Sequence, residues 1–361
     1  ARGVEVVRVF APEHGFRGQA EAGAAVTDGQ DLRTGLPIVS LYGANKKPTP
    51  AQLAGIDRVL FDIQDVGCRF YTYYSTLHYV MEACAQQGLP VTVLDRPQPN
   101  AAYIAGPVLR PKYSSFVGRV PVPILTGLTM GEYAQMLNGE GWLRGGQRCS
   151  LTVVQAQGWH RQMPWAETGL PWLAPSPNLP TLASAQLYPA LCWLEGTPAS
   201  VGRGTEAPFQ LAGAPWYIAA KARYAQDSAT GTPQHEALPG MLARYTRFVP
   251  RSMPGKAASP KFQGQACYGF RLMPRAQQAE DRMLGGLAVV KNLYENHQEY
   301  GPGGPFFNDF FVKLAGTQQV AAGIRAGKLP RAIAQDWQPA LNRYRQQRKP
   351  YLLYPNTPKK K

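Results

Sequence analysis

The chain has 361 residues, 44% apolar and 17% charged, with 38 basic against 23 acidic side chains and a formal charge of +15. That length fits two domains of the usual ~100–200 residues, each able to bury a core; no run of 18 or more apolar residues exists, which excludes a membrane-spanning helix. The positive balance points to an anionic partner, be it nucleic acid, anionic lipid or bacterial cell wall, without fixing fold or chemistry.

In chain order, Ala1-Arg2-Gly3 runs straight into a predicted strand at residues 4–10, carrying Val4, Val6, Val7, Val9 and Phe10. No charged n-region or apolar h-region is seen there. Further strands are predicted at 38–41, 59–62 and 91–94, the last entering the turn Asp95-Arg96-Pro97. Residues 74–87 place Leu77, Val80, Met81 and Cys84 at spacings of three and four, the pattern of a helix packed on a sheet. Thr129-Met130-Gly131-Glu132 reads as a capping box opening another helix, and a strand follows at 151–154. This βαβ alternation predicts a mostly parallel, Rossmann-like α/β sheet with a site along its carboxyl edge.

Residues 159–216 are rich in Pro, Gly and Trp, and Pro164, Pro171, Pro175, Pro177 and Pro180 stand too close for long helices; the expectation is ordered loop. Beyond about Pro208 a smaller α+β unit is expected, with helices at 216–224, 282–295 and 320–326 and strands at 245–250 and 268–273. The division is therefore 1–208 for the catalytic domain and 209–361 for the second. Basic residues are dispersed except for Arg343, Arg345, Arg348, Lys349 and the terminal Lys359-Lys360-Lys361, which read as solvated.

Glu13-His14-Gly15-Phe16-Arg17-Gly18 follows the first strand and is the strongest site candidate. A Glu held against a buried Phe gains the raised pKa of a general acid, and Arg17 is placed to fix an anionic group; the plainer alternative is a capped βα turn. The second candidate is Phe61-Asp62-Ile63-Gln64-Asp65-Val66-Gly67-Cys68-Arg69-Phe70-Tyr71-Thr72-Tyr73. If the two loops end neighbouring strands, Glu13, Asp62, Asp65, Arg69 and Tyr71 converge, and carboxylates within aromatic walls suit glycoside cleavage. The alternative is an Asp-capped helix start with Arg69 paired to Asp65. Ser176-Pro177-Asn178-Leu179-Pro180-Thr181 and Ser200-Val201-Gly202-Arg203-Gly204-Thr205-Glu206 complete the set, Arg203 between glycines that let a ligand approach the backbone.

Cys68, Cys84, Cys149, Cys192 and Cys267 form no C-x-x-C pair, and His78, His160, His235 and His297 show no ligand spacing, so no metal or other cofactor is expected. The aromatic residues cluster with carboxylates instead of interleaving with a basic stripe, against nucleic-acid binding.

Together these segments resemble the NamZ-like exo-acting β-N-acetylmuramidases, formerly a family of unknown function. The resemblance rests on residues 12–18, 61–73, Asp95-Arg96-Pro97 with Asn100 and Gly106, 176–181, Glu195-Gly196-Thr197, 200–208, Gly213-Ala214-Pro215-Trp216 and the closing Tyr351-Leu352-Leu353-Tyr354. It implies a Rossmann-like catalytic domain, a smaller C-terminal domain and a cleft between them. It also implies a strand and loop before Val4 that this chain lacks. The substrate implied is a terminal non-reducing β-1,4-linked N-acetylmuramic acid in muropeptides or disaccharides from peptidoglycan, handled in the periplasm or outside the cell. Glu13 becomes the catalytic glutamate, with Asp62, Asp65 or Tyr71 as second group. His14, Arg17, Arg69, Tyr73, Asn178, Arg203 and Glu206 are the binding candidates, the arginines facing the lactyl carboxylate. A non-catalytic glycan-binding protein is the alternative. Nothing in the sequence sets an oligomeric state.

Overall fold

The computed structural model describes residues 3–18, 20–231, 235–275 and 281–357. Strands β1 (Val9–Ala11), β2 (Gly29–Gln30) and β3 (Pro37–Ser40) form a small sheet in the order β1-β3-β2, with β1 parallel to β3 through Val9↔Ile38. Only three rungs join β1 to β3, so the expected strand at 4–10 shrinks to its end; Val4 and Val6 are 71% and 55% exposed. A one-turn helix α1 (Pro50–Leu53) is closed by a Thr49–Gln52 capping box.

Next comes a parallel sheet of β4 (Val59–Phe61), β5 (Val91–Leu94) and β6 (Leu151–Val154), in that order, through Val59↔Val91 and Val91↔Leu151. Its crossovers carry α2 (Tyr73–Gln86) and α3 (Met130–Gly139), as parallel neighbours require. Leu77, Val80, Met81 and Cys84 of α2 are all buried, as their spacing predicts, and Thr129 and Glu132 make the expected capping box.

The Pro-rich stretch is not loop throughout. Helix α4 (Leu182–Leu191) starts just after Pro180, with the Thr181 hydroxyl accepting from the Ser184 amide at its N-cap. Pro189 lies inside α4 and cannot donate to the carbonyl four residues back. The Asn100 side-chain amide fills that place, donating to Ala185 O at 3.1 Å, which is why a helix survives where proline content argued against one.

The remaining strands, β7 (Leu211–Ala214), β8 (His235–Leu238), β9 (Met241–Phe248) and β10 (Cys267–Pro274), make an antiparallel sheet ordered β7-β10-β9-β8. Around it lie α5 (Ile218–Thr230), α6 (Arg282–Tyr300), α7 (Asp309–Ala315), α8 (Gln319–Arg325), α9 (Pro330–Gln335) and α10 (Gln338–Gln347). One buried apolar cluster runs from Leu41 to Tyr344. The chain's end also packs on the parallel sheet: Tyr344 donates to Thr126 O at 2.7 Å and Tyr354 to the Asp95 carboxylate at 2.8 Å. Among the described residues no helix is long and apolar enough to cross a membrane. The basic triplet at the terminus lies outside the described residues.

Candidate active site

The β1 exit loop is a tight turn, with the Gly15 amide donating to Pro12 O at 2.9 Å and His14 at φ 73°. A non-glycine residue in that region costs conformational energy and persists where its surroundings hold it. Here the hold is a buried ring: His14 Nδ1 lies 2.8 Å from Ala20 O. A carbonyl only accepts, so Nδ1 carries the hydrogen and the Nε2 lone pair is left for the cavity that His14 lines. Burial lowers the imidazole's pKa, with the Arg203 charge acting in the same direction and Glu13 against them. At neutral pH the ring is an uncharged acceptor.

Glu13 is fixed by three donors from three separate segments. Its Oε1 accepts from the Tyr42 hydroxyl at 2.9 Å and the Gly23 amide at 3.1 Å, and its Oε2 accepts from Thr72 Oγ1 at 2.6 Å. Thr72 is the N-cap residue of α2, but its hydroxyl makes no capping bond and donates to Glu13 instead. The Tyr73 hydroxyl is within 3.2 Å of Glu13 O and 3.1 Å of Pro175 O, so the Pro-rich loop is tied to the same turn.

A cavity of about 630 Å³ opens on these groups, a size that holds a small saccharide. Glu13, His14 and Thr72 lie on one side; Tyr71, Tyr188 and Phe209 supply aromatic wall, and Arg203, Lys256 and Lys261 come from later in the chain. Tyr71 meets Tyr73 and Tyr188 edge-on at 5.0 and 5.7 Å; its hydroxyl is buried without a partner in hydrogen-bond geometry among the described residues, and burial raises its pKa. Arg203 Nε donates to Glu195 Oε1 at 2.5 Å, and its guanidinium lies 5.1 Å from the Phe209 ring centre. Burial would raise the Glu195 pKa, but the Arg203 charge and hydrogen bond, with Lys261, outweigh it and the net shift is downward.

Of the residues chosen from sequence, Glu13, His14, Tyr71 and Arg203 line this cavity, and Tyr73 and Asn178 stand directly behind its loops. The others do not reach it. Arg17 grips Asp31 through Nε (3.0 Å) and Nη2 (2.7 Å) and covers the Phe16 ring. Phe16 is itself exposed, so the apolar cover expected over Glu13 is not Phe16. Asp62 sits at the surface, paired with Arg96 at 2.6 Å. Arg69 is fully buried and donates to three main-chain carbonyls, Pro107 O, Val122 O and Leu314 O, off the cavity lining. Glu206 is exposed and off the cavity. Gly204, beside Arg203, leaves room for protein, not ligand: a Cβ there would lie 2.5 Å from Arg251 O.

The site is therefore a carboxyl group and a neutral imidazole on adjacent residues, inside an aromatic pocket that carries cations. Matches to known proteins extend over nearly the whole chain. Residues 1–183 match the family model for the N-terminal part of the exo-β-N-acetylmuramidase NamZ, and residues 186–354 match the C-terminal part. The chain belongs to the NamZ family. It is 39% identical over 359 residues to the peptidoglycan β-N-acetylmuramidase NamZ of Bacillus subtilis (strain 168), covering 97% of this chain and 80% of that protein. Two crystal structures of DUF1343 family proteins from Bacteroides fragilis NCTC 9343 superpose with a TM-score of 0.79 each. They are 37% and 32% identical, over 99% and 97% of this chain and 88% and 87% of theirs.

In this NamZ-family chain Asp65 is the one sequence-chosen carboxylate that is wholly enclosed. Its Oδ1 accepts from the Gly67 amide at 2.7 Å and from Gln98 Nε2 at 3.3 Å, while Oδ2 is buried without a partner among the described residues. Burial pushes its pKa from 3.8 up to about 7. A carboxyl whose folded pKa lies above its unfolded one binds its proton more tightly when folded, so its contribution to stability is full below pH ~4 and is lost as pH rises through ~7. Asp65→Asn removes that titration while keeping the acceptor for Gly67. Thermal unfolding from pH 4 to 8 should show a flatter profile for the variant and a higher Tm than the parent at pH 8. An unchanged profile would mean that Asp65 does not titrate in this window.

Proposed function

We propose that this chain removes terminal N-acetylmuramic acid from the non-reducing end of peptidoglycan fragments, with Glu13 as proton donor. The carrying observation is the asymmetry of the Glu13 carboxyl. Both lone pairs of Oε1 are engaged by the Tyr42 hydroxyl and the Gly23 amide, so a proton on this group resides on Oε2, whose one partner among the described residues is Thr72. The threonine hydroxyl can turn to accept that proton's hydrogen bond, leaving the acid form oriented. Donation from Oε2 to the glycosidic oxygen releases the aglycone as a neutral alcohol while positive charge develops at the muramyl C1. His14 Nε2, uncharged and open to the same cavity, is the acceptor for the proton of the water that completes hydrolysis. Tyr71, Tyr188 and Phe209 offer rings to the apolar face of the sugar.

The pocket is walled by loops from both halves of the chain, which supports attack at a chain end. Digestion of long glycan strands should yield free N-acetylmuramic acid from the first time point. Internal fragments appearing before any monosaccharide would reject the exo assignment. We place this reaction in cell-wall turnover in the periplasm or outside the cell, where such fragments arise; cell fractionation tests it, and recovery of the activity in the cytosol alone would reject it.

A further inference from the structure

We propose that Lys256 reads the lactyl carboxylate of the substrate, a choice of ligand that rests on the muramidase reading above. Three cations among the described residues line the cavity, and two are already committed. The Arg203 charge is opposed by Glu195 at 2.5 Å, so its terminal nitrogens offer hydrogen bonds without net charge. Lys261 is enclosed by main-chain carbonyls, 2.6 Å from Thr197 O and 3.2 Å from Glu195 O, with those of Ala199 and Leu194 at 3.3 and 3.5 Å. Lys256 differs: its side chain is exposed, and among the described residues its ammonium has neither a hydrogen bond nor an ion pair.

Its position is nevertheless fixed. The Lys256 amide donates to Met253 O at 2.9 Å and Ala257 closes the same turn with Met253 in both directions. Asn178, nearly fully buried, donates to Lys256 O at 2.7 Å, and the Glu21 carboxylate accepts from the Ala258 amide at 2.7 Å. The turn is thus clamped to the catalytic half of the chain from two sides, on the rim of the cavity that Glu13 lines. An uncompensated, flexible ammonium on a held turn is suited to an anion that hangs from the sugar ring on a short arm.

The experiment compares a β-1,4 disaccharide carrying the lactyl group as free acid with the same disaccharide carrying it as the primary amide, which has the same size and no charge. Lys256→Ala should lower kcat/KM on the acid about 5- to 20-fold, between the effect of a charge-assisted hydrogen bond and that of an exposed ion pair. On the amide the change should stay below about twofold. Lys256→Arg should keep the preference for the acid, and Arg203→Ala should cost both substrates alike. Because Lys256 is exposed, the acid-over-amide preference of the parent should shrink as salt rises and that of Lys256→Ala should not. Equal losses on acid and amide in Lys256→Ala, or an unaltered preference, would overturn the assignment. A parent protein that cleaved neither disaccharide would instead defeat the muramidase reading, and the assignment with it.

Discussion

Glu13→Gln lowers kcat on an unactivated disaccharide at least about a hundredfold, since general acid catalysis typically contributes 10²–10⁴, while fold and substrate binding persist. The hydrogen bonds explain why the two effects separate. The amide oxygen of glutamine accepts from Tyr42 and Gly23 as Oε1 does, and its NH₂ donates to a turned Thr72 hydroxyl, so each of the three partners keeps a bond. What disappears is the transferable proton on Oε2. With a leaving group that departs without protonation, the loss in turnover should be smaller. Turnover on both substrate types, Tm, and binding of the disaccharide by calorimetry measure the three quantities. A variant with parental turnover on the unactivated substrate would take Glu13 out of the mechanism, and a loss of binding in step with turnover would make it a binding residue instead.

The parts of the molecule legible in the sequence are those whose cause is local. The apolar spacing of α2, the Thr129–Glu132 capping box and the strands β4, β5 and β6 are each set within a dozen residues, and each forms where expected. That Glu13 would line a cavity was legible for a related reason: a strand end followed by a glycine-bearing turn is where open α/β sheets place their ligand crevice. The groups that hold Glu13 were not, because Tyr42 and Thr72 reach it across 29 and 59 residues and only the folded chain brings them together. Glu195, Lys256 and Lys261 come from further still. Glu195 stands in a stretch that carried the family resemblance, but an acidic residue before Gly-Thr does not announce the arginine it will meet. Arg17 and Asp62 show the converse error, since a charged side chain near a candidate site reads as functional until its partner, Asp31 or Arg96, is seen.

Arg69 is the sharpest such case and yields the second large effect. Arg69→Ala should destabilise the fold by about 3–5 kcal/mol, lowering Tm by roughly 5–10 °C at the few degrees per kcal/mol typical of larger chains. The guanidinium is fully buried with no acidic partner among the described residues, and burial alone pulls its pKa down to about 10. The chain keeps this cation because Nη1 donates to Pro107 O at 2.9 Å and Val122 O at 3.0 Å while Nη2 donates to Leu314 O at 2.6 Å. Leu314 belongs to α7 and lines the cavity, so Arg69 ties the α7 wall of the site to the loops around the parallel sheet. Alanine removes a donor from all three carbonyls, leaving Val122 O with the Leu109 amide at 3.1 Å, and opens a large void beside them, and both terms destabilise. Lys cannot present the same planar fork and should recover only part of the loss. Activity per folded molecule, assayed well below the variant's Tm, should stay within a few fold on acid and amide substrates alike. An Arg69→Ala protein with parental Tm but a raised KM confined to the free-acid muramide would return Arg69 to the substrate and refute the structural role.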